Sequence, residues 1–507
     1  MIFDVQPLHI NLIRQNSCLR LTYNQQPIKN GDGRMTSILK GLLIAASLAV
    51  APVLALATCG NADAQDNDRV FSAKKALIGG TLVDGLGGAP IYDSVILVDG
   101  NQIVDVGEEG KLDIPDGYEI ISTEAMTIMP GLWEMHAHLM LNGHSNYAHW
   151  DRTYNNRLSS EIMPSSAEQL LLAGVTTARD LGAPLDDSVS VKRRIEEGEI
   201  AGPRLFISGP FIQHKAYPGT EAFRWGVNST ADGRAKVRLL AEAGVDVIKL
   251  IDQDVMPINH VKAVVDEAHK HGLKVVGHAH KPDEIRIGLE VGIDNFEHTG
   301  LTTAPEYPED IMTLLKERTA KGRIAGGPLY WTPTVEGLWN FEETRDNPEE
   351  VDSNCWHRGL EDDTIADIKA SIQHPNRLDY FQLTPKRKPT LKRKFSQLRK
   401  AGVVLLIGTD SGIPLKFHCQ STWNEIDVWT RVMGVPVMET IQAATYWPSK
   451  MMGVENEWGT LQPGRFADII AIKGDALKYP ALFQNVDFVM KDGVVYKKDG
   501  QPVEENF

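Results

Sequence analysis

The chain has 507 residues, of which 42% are hydrophobic, and a formal net charge of −15 at pH 7. This length is sufficient for a large core or for two domains. The negative charge argues against nucleic-acid binding, which needs a concentrated basic face. The short basic clusters at 386–388 and 392–394 are expected to lie on a solvated helix face.

The N-terminal segment has the composition of an export signal. Residues 38–58 are apolar apart from Lys40, and the small residues at 62–64 (Ala-Asp-Ala) fit a signal-peptidase site. We therefore predict that residues 1–64 comprise an upstream extension and a signal peptide, and that the protein is exported, either periplasmic or secreted. After cleavage no membrane attachment is expected, although a retained anchor is the alternative reading of the same run.

Two segments at opposite ends of the chain are predicted to be rich in β-strands. Residues 65–126 contain an Asp99-Gly100 turn between alternating apolar runs, and residues 459–507 contain an Asp492-Gly493 turn of the same kind. Such turns are typical of hairpins. We expect the two segments to pair into one small β-sandwich, with a central domain at 127–458 inserted between them.

The central segment alternates predicted strands and helices, which favours an α/β fold and specifically a (β/α)8 TIM barrel. The segment 260–271 illustrates the helices, because its apolar residues recur on one face and Gly272 follows as a stop signal. A charged insertion at about 339–400 is expected to form a lid or a homo-oligomer contact. The eight predicted strands are 128–138, 175–181, 204–209, 245–250, 274–280, 293–298, 331–335 and 403–410.

The end of the first predicted strand carries His136 and His138. Alternate residues of a strand point to the same side, so both imidazoles are expected to face one point. Two neutral imidazoles that face one point form half of a transition-metal site. Taken alone, the pair is also compatible with an exposed polar face.

Four other predicted strands also end in residues that suit a metal site. These residues are Lys249, His278, His298 and Asp410. In a parallel barrel the carboxyl ends of all strands converge on one face, where active sites are built. Imidazole nitrogens and carboxylate oxygens are the ligands that zinc prefers. The pattern therefore predicts one metal-dependent site assembled from five strands.

The chain resembles the amidohydrolase superfamily, and within it the imidazolonepropionase-like and Xaa-Pro dipeptidase-like members. The resemblance covers nearly everything from residue 70 onward. The motifs that carry it are 129–138 (MPGLWEMHAH), 174–180 (GVTTARD), 202–205 (GPRL), 247–249 (VIK), 277–280 (GHAH), 296–298 (FEH), 408–410 (GTD) and 464–469 (GRFADI).

This resemblance implies two divalent metal ions, with zinc as the default. One ion would be held by His136, His138 and Asp410, and the other by His278 and His298. Lys249, converted to a carbamate by CO2, would bridge them, since a bare ammonium would be repelled by two cations. The alternative is an unmodified lysine that is exposed or ion-paired.

The resemblance also implies a mechanism. A metal-bridging hydroxide would attack the scissile carbonyl, and Asp410 would act first as general base and then as general acid. His280 would contact the substrate or support the ligands. His214 would contact the substrate, although the glycine-rich run of the family is absent around it. Arg179 and Asp180 are expected to form salt bridges or hydrogen bonds beneath the site.

We therefore predict an exported amidohydrolase that cleaves a small-molecule amide or dipeptide, as a dipeptidase or an N-acyl-amino-acid amidase. The alternatives are hydrolysis of a cyclic amide, lactone or amidine on the same fold, and a non-catalytic binding protein. The first alternative is disfavoured by Lys249, because single-metal relatives generally lack the bridging lysine. Whether Cys355 and Cys419 pair is left open by the sequence.

Overall fold

A computed structural model describes residues 74–300, 302–322, 327–340, 354–373 and 379–507. The predicted extension and signal peptide at 1–64 lie outside these residues. No helix of the described part of the chain is long and apolar enough to cross a membrane.

A nine-stranded sheet contains strands from both ends of the described chain. At its centre Met126–Pro130 pairs with Ile469–Lys473 in antiparallel register, so the two ends meet directly. Buried apolar side chains from both segments, among them Ile128 and Ile469, form one core cluster. The other strands are Lys74–Leu82, Ile91–Asp99, Gln102–Glu108, Glu119–Ser122, Phe488–Lys491, Val494–Lys498 and Gln501–Pro502.

The central segment forms the predicted (β/α)8 barrel. Strands four to eight are hydrogen-bonded in parallel order, and strands one to three form a second parallel group. A parallel bridge between Ala137 and Ser411 joins the eighth strand segment to the first. The amide of Asp246, 2.8 Å from the carbonyl of Ile207, joins strands three and four. The barrel strands are Leu132–Ala137, Val175–Asp180, Arg204–Ile207, Val247–Leu250, Lys274–His278, Asn295–Glu297, Tyr330–Thr332 and Val404–Leu405.

Helices follow the barrel strands as the alternating pattern predicts. The predicted helix near 260–271 spans Ile258–Lys270 and buries Val261, Val264 and Ala268. The other α-helices are Tyr147–Thr153, Met163–Leu172, Leu185–Glu196, Thr230–Glu242, Pro282–Val291, Glu309–Gly322, Asp362–Ile372, Asp379–Ala401, Ser421–Asp427, Val437–Ala443 and Tyr446–Met452. Two short strands (Phe211–Gln213, Arg224–Gly226), two π-helical segments (Leu158–Ile162, Val428–Met433) and short 3₁₀ turns (Gln253–Val255, Asn354–Trp356, Pro480–Gln484, Glu504–Asn506) complete the described elements.

The prediction of one strand over 128–138 was wrong, because the segment is divided at Gly131. The residues before it pair in the nine-stranded sheet, and those after it pair with the second barrel strand. A Cβ atom at Gly131 would lie 2.1 Å from Oγ1 of Thr176. The chain therefore passes from one sheet to the other at a position that has room only for glycine.

Replacing Gly131 with alanine is expected to lower the free energy of unfolding by about 1–3 kcal/mol, because the added methyl overlaps a buried side chain. Urea unfolding of the purified chain measures this. The matched control is Gly88→Ala, where an added Cβ meets nothing within 4 Å. Equal stability of the two variants would contradict the close packing at Gly131.

The described part of the insertion is helical and packs on the barrel. Its segment Asn354–Trp356 is linked by a disulfide between Cys355 and Cys419, with Cα atoms 5.9 Å apart. Trp356 stacks on Phe417 with ring centroids 4.7 Å apart. The structure thus settles the pairing that the sequence left open, and it fixes the insertion to the loop that follows the eighth strand.

The expectation that both basic clusters of the insertion are solvated was wrong for Lys394. This side chain is buried, and its ammonium donates to the carbonyl and the hydroxyl of Thr302, both at 3.1 Å. Lys386 and Lys392 are exposed as expected. The helix Asp379–Ala401 therefore uses one of its lysines to contact the loop after the sixth strand.

Loss of the disulfide is expected to lower the free energy of unfolding by up to about 4 kcal/mol, because it closes a loop between residues 64 positions apart. Unfolding of the Cys355→Ser/Cys419→Ser double variant, compared with the oxidised parent, measures this. If residues 1–64 are removed, Cys355 and Cys419 are the remaining cysteines. A thiol titration that finds both free before any reductant is added would contradict the pairing.

Candidate metal centre

The mouth of the barrel gathers the side chains that the sequence singled out on strands one and eight. Oδ1 of Asp410 lies 3.4 Å from Nε2 of His136 and 3.0 Å from Nε2 of His138. The two imidazole centroids are 5.2 Å apart, as expected for alternate residues that face one side. Each of the three side chains therefore presents a potential ligand atom to the same small volume.

His298 connects this group to the histidines of the fifth strand. Potential ligand atoms of His136, His298 and Asp410 lie within 4.8 Å of one another, and so do those of His278, His280 and His298. The sequence placed His280 on the substrate side or in support of the ligands, and in the structure its ring stacks on His298 with centroids 4.2 Å apart. The structure therefore brings His280 into the same cluster as the predicted ligands.

Lys249 occupies the position in the cluster that the sequence predicts, on the strand beside that of His278. It is completely buried, and no described residue accepts a hydrogen bond from its Nζ. No described carboxylate lies within ion-pairing distance of it. The alternative that Lys249 is an exposed or ion-paired surface lysine is therefore wrong.

Two of the clustered residues have strained backbones. The φ angles of His298 and Asp410 are 74° and 67°, in the left-handed region that non-glycine residues rarely adopt. Such conformations cost about 1–3 kcal/mol each and concentrate at functional sites. His298 directly follows the sixth barrel strand, and Asp410 lies in the segment after the eighth; both side chains join the cluster.

Buried carboxylates orient the cluster from below. Oε2 of Glu297 lies 2.8 Å from Nδ1 of His136, and its Oε1 accepts from Nη2 of Arg179 at 2.6 Å. Asp180 accepts a hydrogen bond from the amide of Leu139 at 3.0 Å. The predicted supporting roles of Arg179 and Asp180 are thus confirmed.

Glu134 and Glu297 are functional residues that the sequence reasoning missed. Glu134 accepts from the amides of His136 and Thr409 at 2.9 and 2.8 Å, and so ties the first strand to the eighth. Their positions in the sequence could have identified them, because Glu134 precedes His136 by two residues and Glu297 directly precedes His298.

The residues of the cluster fit divalent metal ions. Nε2 of His136, Nζ of Lys249 and Nδ1 of His278 are buried without a hydrogen-bond partner among the described residues. Unpaired buried polar atoms are costly and call for a partner. Oε2 of Glu297 lies 2.8 Å from Nδ1 of His136, and an imidazole protonated at Nδ1 would leave Nε2 to coordinate, which is the usual support of a metal-binding histidine.

Burial also favours the protonation states that metal binding requires. It lowers the pKa of His136, His278 and His298 well below the ordinary value and that of His280 to about 3, so these imidazoles are neutral at pH 7. Burial lowers the pKa of the Lys249 ammonium to about 8. Burial alone would raise the pKa of Asp410, but His136, His138 and Lys416 together lower it below its ordinary value.

A cavity of about 70 Å³ adjoins the cluster. His280, His298 and Asp410 line one part, and Leu391 of the insertion lines another, which is consistent with the predicted lid. Lys416 also lines it and was missed by the sequence reasoning. Its ammonium lies 2.9 Å from Oε1 of Glu336 and donates to the carbonyl of Thr409.

His214, the other predicted substrate contact, is not brought to the cluster. Its side chain is exposed on the loop after the third strand. It belongs neither to the metal-compatible groups of the described residues nor to the lining of the cavity. Its contact with a substrate stays a prediction that the geometry does not favour.

Imidazoles and a carboxylate at the mouth of a parallel barrel are typical of metal-dependent barrel enzymes. The model of the amidohydrolase family matches residues 127–497. The chain therefore belongs to the amidohydrolase family, whose members are generally metal-dependent, and it is a hydrolytic enzyme that acts on carbon–nitrogen bonds.

The chain is also similar to curated proteins and to solved structures. An uncharacterized protein of Mycobacterium tuberculosis is 24% identical over 383 residues, covering 72% of this chain and 84% of that protein. A 5-methylthioadenosine/S-adenosylhomocysteine deaminase of Symbiobacterium thermophilum is 23% identical over 466 residues, covering 83% and 93%. The crystal structure of a Xaa-Pro dipeptidase with bound methionine has a TM-score of 0.64 at 23% identity, covering 84% and 100%. At this identity the structural likeness supports the fold.

Proposed function

We propose that this chain is an exported binuclear amidohydrolase that cleaves a peptide-like carboxamide bond, as a dipeptidase or an N-acyl-amino-acid amidase. The observation that carries the proposal is the grouping of Lys249 with the histidines and Asp410 at the mouth of the barrel. Nζ of Lys249, Nε2 of His136 and Nδ1 of His278 are buried there without a hydrogen-bond partner among the described residues. A likeness to a Xaa-Pro dipeptidase structure is consistent with this substrate class.

In this proposal one ion would be held by His136, His138 and Asp410, and the other by His278 and His298. Lys249 would add its neutral amine to CO2, forming a nitrogen–carbon bond and releasing one proton, and the resulting carbamate would bridge the ions. Two bound cations, with zinc as the default, supply an activated water and an electrophile for the scissile carbonyl.

The side chains of the protein perform the remaining steps. Asp410, at the open end of the cluster, accepts the proton of the attacking water and delivers it to the leaving nitrogen. Glu297 and Glu134 hold His136 and the Asp410 loop in position through the contacts described above. Leu391 and Ile413 cover the cavity with apolar surface and reduce the access of bulk water.

Export is the second part of the proposal. The disulfide between Cys355 and Cys419 supports it, because stable disulfides are typical of periplasmic and extracellular proteins and are rare in the cytosol. Fusion of residues 1–64 to a reporter enzyme that is active only in the periplasm would test it. A reporter that stays inactive would contradict export.

Complete removal of metal is expected to abolish hydrolysis, because the attacking water would then lack activation at neutral pH. The purified chain is assayed on a panel of dipeptides and N-acyl amino acids before chelation, after chelation, and after dialysis against zinc with bicarbonate. Metal analysis of the same samples is expected to find close to two ions per chain. Hydrolysis that persists in metal-free enzyme would refute the proposal.

A second candidate is the hydrolysis of a cyclic amide or an amidine, and it is favoured by the relative that is a deaminase. Such relatives that use one metal generally lack the bridging lysine. A metal content near one per chain, together with turnover of an amidine and none of the amides, would select this candidate.

A further inference from the structure

Arg224 lies at the mouth of the barrel on a strand that extends the sheet beside Lys249. The segment Arg224–Gly226 pairs in parallel with Phe211–Gln213, and Ile212 of that segment pairs with Leu250 of the fourth barrel strand. The two short strands thus continue the barrel wall on the side where the candidate metal centre opens.

Aromatic rings hold the guanidinium of Arg224 in place. Its carbon lies 5.1, 4.7 and 5.5 Å from the ring centroids of Phe211, Tyr217 and Phe223. Nη1 donates to Oε1 of Gln213 at 3.1 Å. Stacking and cation–π contacts of this kind fix the plane of an arginine without neutralising its charge.

One edge of this guanidinium has no partner among the described residues. Nε is buried and makes no hydrogen bond to a described residue, and no described carboxylate lies within 4.0 Å of the group. Since Nη1 is occupied by Gln213, the free donors are Nε and Nη2. These two parallel N–H groups are the pair with which arginine binds a carboxylate through two hydrogen bonds.

Two chains of contacts connect Arg224 to the metal centre. Phe211 and Arg224 are register partners, so their side chains emerge on one face of the strand pair, and Phe211 lies edge-on to His138 at 5.7 Å. On the other side Tyr217 donates to Asp252 at 3.0 Å, and a carboxylate oxygen of Asp252 lies within 4.8 Å of a ring nitrogen of His278. The guanidinium is therefore within the reach of a small molecule whose amide bond is at the centre.

The other charged groups near Arg224 leave it available. Asp151 and Asp252 are its acidic neighbours, but neither forms an ion pair with it, and Asp252 is engaged by Tyr217. Lys416, the buried cation in the cavity, is paired with Glu336 at 2.9 Å. Among the described residues, no contacting carboxylate therefore matches the charge of Arg224.

We propose that Arg224 binds the carboxylate of the substrate, so that the enzyme selects N-acyl amino acids or dipeptides with a free carboxylate over neutral amides. This inference rests on the proposed amidase function. A guanidinium between aromatic rings is shielded from water, which strengthens its hydrogen bonds to an anion. It also fixes the distance between the carboxylate and the scissile bond, and this distance would restrict the substrates that fit.

The test compares pairs of substrates that differ at one group. N-acetyl amino acids and the corresponding N-methylamides are incubated with the metal-loaded parent, Arg224→Met, Arg224→Lys and the surface control Arg193→Met, and acetate release is measured. The parent is expected to prefer the acids. In Arg224→Met the ratio of kcat/KM for acid to that for N-methylamide is expected to fall on the order of 10- to 100-fold, because charge-assisted hydrogen bonds are lost.

Arg224→Lys keeps the charge but lacks the two parallel donors, so an intermediate ratio is expected. Because Arg224→Lys is the smaller change in the side chain, it still tests the assignment if Arg224→Met misfolds. Arg193, at the exposed end of the helix Leu185–Glu196, is expected to leave the ratio unchanged. An unaltered ratio in both Arg224 variants, or a parent that prefers the N-methylamides, would overturn the assignment.

Binding measurements separate this inference from the proposed function. Calorimetric titration of the same N-acetyl amino acids and N-methylamides into the metal-loaded parent and Arg224→Met does not depend on turnover. If no compound is hydrolysed but the parent binds the acids and the variant does not, the amidase proposal fails and the role of Arg224 stands. If the parent binds neither form, or both equally, the role of Arg224 fails.

Discussion

Asp410→Asn is expected to lower kcat for amide hydrolysis by about 10³-fold or more. The amide of asparagine keeps the shape of the side chain and an oxygen atom for a metal, but it cannot accept the proton of the attacking water. General acid–base steps contribute about 10²- to 10⁴-fold, and Asp410 would perform two of them. Steady-state kinetics on the best substrate of the panel, in enzyme reconstituted with zinc and bicarbonate, measures the change.

Metal analysis of the same variant distinguishes the two roles of Asp410. If two ions remain bound while turnover is lost, the carboxylate acts mainly in proton transfer. If the ions are lost as well, its contribution as a ligand dominates, and kcat is then compared at saturating zinc. Asp116→Asn, in an exposed turn between two strands of the nine-stranded sheet, is the matched control. Undiminished turnover in Asp410→Asn would refute the catalytic assignment.

The ends of the barrel strands were predictable from the sequence because one physical rule places them. Apolar runs become parallel strands, and parallel strands in a barrel carry their carboxyl ends to one face. Lys249, His278, His298 and Asp410 could therefore be grouped without any knowledge of their distances. The rule fixes the face of the barrel but not the contacts, so it could not show that His280 stacks on His298.

The supporting residues were harder to predict because their partners are far apart in the chain. Glu134 binds the amide of Thr409, 275 positions away, and Glu297 lies beside His136, 161 positions away. A carboxylate next to a ligand residue could equally belong to the solvated face of a strand. Only the tertiary structure shows that both are completely buried.

The division of the first predicted strand had a similar cause. Residues 128–138 are apolar enough to form one strand, and the single glycine in the run is also compatible with a bulge. What divides the run is a change of partner, from the strand Ile469–Lys473 to the barrel strand Val175–Asp180. Partner choice depends on the packing of two sheets against each other, which local sequence does not encode.

Lys249→Ala is expected to lower kcat/KM by about 10³-fold, because the proposed bridge would be lost and the two cations would repel one another without it. Several kcal/mol of transition-state stabilisation depend on correctly placed metal charge, and each 1.36 kcal/mol corresponds to a tenfold change in rate. Truncation to alanine also leaves space in a completely buried site. Lys262→Ala, on an exposed helix face, is expected to behave like the parent.

Small carboxylates are expected to restore part of the activity of Lys249→Ala. Formate or acetate can occupy the vacated space and supply the two anionic oxygens that a carbamate would have provided, whereas acetamide and chloride cannot. The parent, grown with carbon-13 bicarbonate, is expected to show a carbamate carbon signal in its NMR spectrum that Lys249→Ala lacks. If the parent lacks this signal and its activity is indifferent to bicarbonate, then Lys249 acts as an amine, and the bridge between two cations would have to be abandoned.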